Sequence, residues 1–244
     1  MTVQNPIQEA LKAWPESEAV DVIIADMNGI WRGKQIPVAY ADKIMGLTLP
    51  MATPILTTSG AVSEAIADTL GTEPDMQSTL VDASVCPVLW APRPTLQVQI
   101  DLLDEDQEPF LYSPRTVLKK QVDAFKAKGL TPVIGIELEF HLFKAGSMPP
   151  EMADPMSGQL QNSGENCYTL DIMYDFEPLL IEIEEAAVAQ GLPVSVHSAE
   201  SSHNQFEINL MHRADALKAA DEAMLLKRVV RGVANKHGML ASFM

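Results

Sequence analysis

Two stretches of the sequence, GIELEFHLF (135–143) and HNQFEINL (203–210), alternate apolar and polar residues along their length. Successive side chains of a β-strand point to opposite faces, so this alternation predicts strands with one buried face and one polar face. Ile134, Ile136, Leu138 and Phe140 share the apolar face of the first, with Glu137, Glu139 and His141 opposite. In the second, Phe206, Ile208 and Leu210 lie behind His203, Gln205, Glu207 and Asn209. The strand rise separates Glu137 from Glu139 by about 7 Å. If shielded from water, carboxylates that close take up a proton or share a cation; a face open to water demands neither. Glu200 lies seven residues before Glu207, across Ser201-Ser202. Carboxylates presented together from strands suit hard divalent cations such as Mg²⁺ or Mn²⁺, which commonly serve phosphate chemistry. At this level a solvated acidic face and a cation site both stand.

The remaining pattern separates a strand-rich first part from a second part that mixes helices and strands. A helix is expected at 6–14, then a hairpin of Val20–Asp26 and Ile30–Val38 around Asn28-Gly29. Prolines break residues 47–94 into short strands and loops, and Leu96–Leu103 is the last strand of this module. Ser113 and Pro114 read as the N-cap and first residue of a helix running to Lys128, where Gly129 stops it. A strand at 131–143, a loop at 145–166, a helix at 176–190 and a strand at 193–197 follow. In the last helix Ala216, Ala219, Ala223, Leu226, Val230 and Val233 recur at spacings of three and four, a continuous buried face. The apolar LASFM after Gly238 reads as a strand.

Charge narrows the partners. With 17 basic against 33 acidic residues the formal charge is −16, which repels phosphate backbones and acidic lipid, so neither nucleic acid nor membrane is expected as a partner. Part of the excess fits an interior acidic cluster. Cys86 and Cys167 match no metal or redox spacing, and the N-terminus lacks the apolar core of a signal peptide, so a reduced, cytoplasmic chain is expected. Gly29 to Lys34 falls one residue short of a phosphate loop and leads into a strand, so Lys34 reads as a solvated strand residue. His197, Ser198 and Glu200 hold the ingredients of a hydrolase triad without a nucleophile elbow. His141 reads as hydrogen-bonded beside the acids, and Asp101, Asp104, Glu105, Asp106 and Glu108 as a solvated turn.

GIELEFHLF resembles the acidic-strand signature of the glutamine synthetase superfamily, and ESSHNQFEI resembles its second metal-binding signature, E-x-x-x-G-Q-x-E. DMNGIWRGKQIPV is similar to the family's first hairpin, and AADEAMLLKRVVRGVANKHGMLASFM to the helix and strand before its ATP-site segment. All four lie in family order. The resemblance implies an α+β fold: an N-terminal β-grasp-like module over 1–108, then residues 109–244 as part of a catalytic domain, an antiparallel sheet with helices on one side. It also implies stacked homo-oligomeric rings with active sites between subunits. By the motif matches, Glu139, Glu200 and Glu207 bind one Mg²⁺ or Mn²⁺ and Glu137 contributes to a second. The implied activity is a glutamate–amine ligase with ATP as co-substrate: glutamate's γ-carboxylate attacks the terminal phosphate, and an amine then displaces phosphate. No catalytic or ATP-binding residue is assigned within the chain.

Departures from the family shape these expectations. Asn204 stands where glycine is usual, a mild change because Asn tolerates positive φ, and Ala199 where histidine commonly precedes the glutamate. Ammonia-using members carry an Asp-Gly-Ser-Ser loop after the first hairpin. Here LTLPMATPILTTSG has no acid between Asp42 and Glu64, which favours an organic amine over ammonia, as in γ-glutamylpolyamine or γ-glutamylmethylamide synthetases. Glutamine synthetase proper and a catalytically inactive relative are the alternatives within the family. A carboxylate-pair hydrolase is the alternative outside it, though it would not need the third and fourth acids. The sequence stops before the family's Pro-Lys-Pro and glycine-serine-histidine segments, so these 244 residues alone are expected not to turn over. Sustained ATP-dependent amide formation by this chain would contradict that.

Overall fold

A computed structural model describes residues 6–64, 71, 74–81, 85–157 and 167–243. The chain forms two compact units, Met1–Thr131 and Pro132–Met244. Parts of three expected segments lie outside the described residues: 65–70, 72–73 and 82–84 of the broken region, 158–166 of the loop, and the final Met244.

In the first unit, helix α1 (Pro6–Ala13) precedes strands β1 (Ala19–Ala25) and β2 (Trp31–Pro37), which pair antiparallel as the Asn-Gly hairpin. After a 3-10 helix at Val38–Gly46 come β3 (Thr48–Pro50), a 3-10 turn at Thr53–Ile55, β4 (Asp75–Leu80), β5 (Cys86–Pro87) and β6 (Thr95–Leu102). The sheet order is β2-β1-β6-β4-β3, with β5 also on β6. β1 and β6 run parallel, Val20 opposite Leu96, a central pair in keeping with a β-grasp-like module. Val20, Val22, Ile24, Leu96, Val98, Ile100 and Leu102 form the core with Ile7, Ile44 and Phe110.

β6 is buried along its whole length, so Gln97, Gln99 and Asp101 are interior as well. This corrects one expectation. Asp101 belongs to the central strand, and only Asp104–Glu108 form the turn, where the Asp104 carboxylate accepts from the amides of Asp106 and Glu108. Helix α2 (Pro114–Lys126) begins at Pro114 as predicted, but the buried Ser113 side chain makes no capping hydrogen bond. Lys34 is an exposed strand residue that donates to the Thr48 carbonyl.

In the second unit, strands β7 (Ile134–Lys144), β8 (Val194–Ala199), β9 (Gln205–Arg213) and β10 (Met239–Ser242) form an antiparallel sheet in the order β10-β7-β9-β8. Helices α3 (Leu170–Asp175), α4 (Glu177–Ala189) and α5 (Ala216–Lys236) complete it, with α4 and α5 in mutual contact and α5 packed on β7, β9 and β10. The alternation in β7 and β9 turns Phe140, Leu142, Phe206, Ile208 and Leu210 inward, where the Phe206 ring lies 5.2 Å from Phe176 and 6.0 Å from Phe140. The sequence pattern gives no sign of α3. Asp215 caps α5, its carboxylate accepting from the Lys218 amide at 3.1 Å.

The buried stripe of α5 is not wholly apolar. Glu222 is 4% exposed while Ala223 is half-buried, because Arg213 grips the Glu222 carboxylate with two nitrogens at 2.7 and 2.8 Å. Removing one partner of a buried pair strands the other charge. Arg213→Met is therefore expected to cost about 3 kcal/mol in urea unfolding, the low end for a buried pair because Lys218 Nζ stays 3.7 Å from Glu222, and adding Glu222→Leu to recover most of it.

Glu182 of α4 lies between Lys236 and His237 at the end of α5. Its burial opposes ionisation, but hydrogen bonds from Lys236 and His237 hold its carboxyl below the ordinary value. A lowered folded-state pKa contributes stability above the ordinary carboxylate range and loses it as pH falls through the lowered value. Glu182→Gln should cost about 1 kcal/mol near neutral pH, and its unfolding curve should merge with that of the unaltered protein in acid.

Candidate metal centre

The two acidic strands lie side by side. In the β7–β9 register Glu139 faces Glu207 and Glu137 faces Asn209, while Ser198 of β8 faces Glu207 from the other side. Directly opposed residues on neighbouring strands have Cβ atoms about 5 Å apart, so the Glu139–Glu207 pairing is set by the backbone. Glu200 leaves β8 through a tight turn in which its amide donates to the Gln205 carbonyl at 2.8 Å. That turn depends on Asn204, which has φ +52 and is buried, its side-chain amide donating to the Ala153 carbonyl at 2.7 Å. The replacement of glycine is thus accommodated by the residue type best able to adopt positive φ.

The four acids lie within one another's electrostatic reach. Burial pushes the Glu207 carboxyl above its ordinary value; a hydrogen bond from Asn209 opposes this, and the charges of Glu137, Glu200 and Glu139 add to it. Glu137 and Glu139 are exposed and Glu200 and Glu207 half-buried, so in the single chain this face is open. Gln205 donates to Glu139 at 2.6 Å. Tyr168, exposed and left unassigned by the sequence reading between the loop at 145–166 and the helix at 176–190, stands in the same field: the charges of Cys167 and Glu200, then of Glu207 and Glu137, raise its hydroxyl pKa. Only proximity in space reveals it, since no periodicity surrounds it.

His141 shares the acidic face. Its Nδ1 is buried and has no hydrogen-bond partner among the described residues, so the expected hydrogen bond is not made at that atom. His197 lies in the field of Glu184, with burial lowering its pKa.

Among the described residues, no three His, Cys, Asp or Glu side chains already meet at ligating separation. The donor chemistry nonetheless fits a hard divalent cation: oxygen ligands, excess negative charge, and a carboxyl whose ionisation its acidic neighbours oppose. Side-chain rotation, with release of Gln205 from Glu139, would be required to close a ligand shell.

Comparison with known proteins bears on this face. Residues 111–244 match the family described as glutamine synthetase, catalytic domain. The γ-glutamylputrescine synthetase of Escherichia coli strain K12 is 35% identical over 98% of this chain and 52% of its own length. A glutamate–isopropylamine ligase of a Pseudomonas species is 28% identical over 94% of this chain and 51% of its own. Among solved structures, a GmaS–ADP complex superposes with a TM-score of 0.75 at 24% identity, over 97% of this chain and 50% of that one, a likeness of fold. The chain spans about half the length of the curated relatives it matches.

Proposed function

The chain belongs to the glutamine synthetase family, and on that premise we propose that it serves an ATP-dependent ligase joining the γ-carboxylate of glutamate to an organic amine. The observation that carries this reading is the register that sets Glu139 against Glu207, with Glu137 and Glu200 close enough to act on the same carboxyl.

In the proposed reaction a γ-carboxylate oxygen of glutamate attacks the terminal phosphorus of ATP and ADP leaves. The amine nitrogen then attacks the carbonyl carbon of the γ-glutamyl phosphate, phosphate departs, and the nitrogen gives up a proton. Glu139, Glu200 and Glu207 would hold one Mg²⁺ or Mn²⁺ and Glu137 would contribute to a second. Bound there, the cations would supply fixed positive charge that lets two anionic reactants approach and spreads charge over the transferring oxygens. Asn209 donates to Glu207 and so orients that carboxylate, while the Gln205 bond to Glu139 would have to open for Glu139 to take up a cation.

The preference for an organic amine rests on residues 47–61, which carry no carboxylate and which we place facing the amine across a subunit boundary in a stacked-ring homo-oligomer. An ammonium ion finds no carboxylate there, whereas an organic amine brings an alkyl part that needs none. The names of the two relatives, both acting on organic amines, agree with this. We take the catalytic part to begin near residue 109, beside the family match at 111, and the enzyme to work in the cytoplasm; among the described residues no helix is long and apolar enough to cross a membrane.

The test is an amine panel on a protein carrying this chain at the family's full length. Ammonium, methylamine, isopropylamine and putrescine are each supplied with ATP and glutamate, and the γ-glutamyl product is identified by mass. An organic amine should exceed ammonium in kcat/KM by about tenfold or more, the size of one missing charge contact. A preference for ammonium would identify glutamine synthetase proper, and no product with any amine would favour an inactive relative.

A further inference from the structure

The hairpin tip does more than turn the chain. Asp26 follows β1 with its carboxylate wholly buried, accepting from the amides of Asn28 at 2.9 Å and Ile30 at 2.8 Å and from Arg32 Nε at 2.9 Å. From this locked tip three bonds reach the segment after β3. The Met27 amide donates to the Pro54 carbonyl at 2.9 Å, Asn28 Nδ2 to the Leu56 carbonyl at 2.7 Å, and an Arg32 terminal nitrogen to the Thr57 carbonyl at 2.9 Å.

The segment so held is preformed. Ala52 and Ile55 pack with Met51, Leu56 and Val62 in a small cluster of their own. The Thr57 amide donates to the Ala61 carbonyl at 2.8 Å, and the Ala61 amide to the Thr57 hydroxyl at 3.1 Å. Residues 58–61 are exposed at its tip. The Thr57 carbonyl receives both the Gly60 amide and Arg32, so the buried Asp26 charge fixes the orientation of the tip through one side chain. The Asn-Gly turn alone suffices to reverse the chain here, so the buried pair is free to serve the segment it reaches.

We propose that Asp26 and Arg32 are positioning residues for amine selection: the Asp26–Arg32–Thr57 relay, seconded by Asn28, holds the uncharged tip at residues 57–61 in the one shape that admits the amine. This rests on the reading that residues 47–61 face the amine. Arg32 serves here through its planar fork, one nitrogen to each partner, which lysine cannot reproduce.

Three variants test it: Arg32→Lys, which keeps the charge, Arg32→Met, and Asn28→Ala, an exposed position where folding is not at risk. Hydrogen exchange of this chain reads the clamp directly. The variants should speed exchange of the Gly60 and Ala61 amides and leave β1 and β6 unchanged; unchanged exchange at 60–61 would overturn the clamp. In the full-length enzyme the KM for the best amine should rise about fivefold or more, as for loss of one hydrogen bond to a charged group, while the KM values for ATP and glutamate hold. Equal change in all three constants, or a lower melting temperature alone, would reduce the relay to a structural role and overturn the proposal. If the unaltered enzyme amidates no amine, the functional reading fails instead, and the exchange result still judges the clamp.

Discussion

On the proposed function, Glu207→Ala is expected to lower amide formation about a thousandfold in the full-length enzyme, the scale expected when a fixed charge stabilising a transition state is lost. Glu207 receives the fields of all three other acids and sits directly opposite Glu139. Its removal therefore opens the proposed ligand shell at its centre. Glu207→Gln keeps the shape and removes the charge, so it should lose nearly as much. The metal-free variant should melt no lower than the unaltered protein, because one of four crowded negative charges has gone. Lost activity with an unchanged or raised melting temperature separates a site effect from unfolding; a fall in both would assign Glu207 to the scaffold.

Gly33→Ala has the largest expected effect on stability. Gly33 has φ +150, and a Cβ built there would lie 1.8 Å from the Val22 carbonyl oxygen. Both atoms are in paired strands, Gly33 opposite Ile23 and Lys34 opposite Val22, so no flexible side chain can yield. The backbone must separate, at a cost of about 4 kcal/mol from the strained φ and the overlap together. That is a large share of the total stability of a domain this size. Gly46→Ala, with nothing within 4 Å of its added Cβ, is the control and should be near neutral in urea unfolding.

The fold was legible wherever one face of an element meets the core. The period of two in β7 and β9 predicted which residues turn inward: Phe140, Phe206 and Ile208 are fully buried, while Ile134, Ile136 and Leu138 on the same face as Phe140 are only half-buried. Asn28-Gly29 predicted the hairpin. Legibility failed where burial came from a charge pair or a covered strand. Spacing alone cannot show that Glu222 is interior, because its partner Arg213 is on another element. Asp101 reads as the start of an acidic turn, yet it lies on a strand buried along its length. The four acids could be picked out by pattern and resemblance, whereas Tyr168 and the Asp26–Arg32–Thr57 relay depend on contacts that no spacing encodes.

The most direct measurement is Mn²⁺ binding to this chain, followed by loss of the free-ion electron paramagnetic resonance signal. The account predicts that the unaltered chain depletes the signal, and that Glu139→Gln or Glu207→Gln weakens binding about tenfold or more. A chain that leaves the signal at full strength, or variants that bind Mn²⁺ as tightly as the parent, would contradict it.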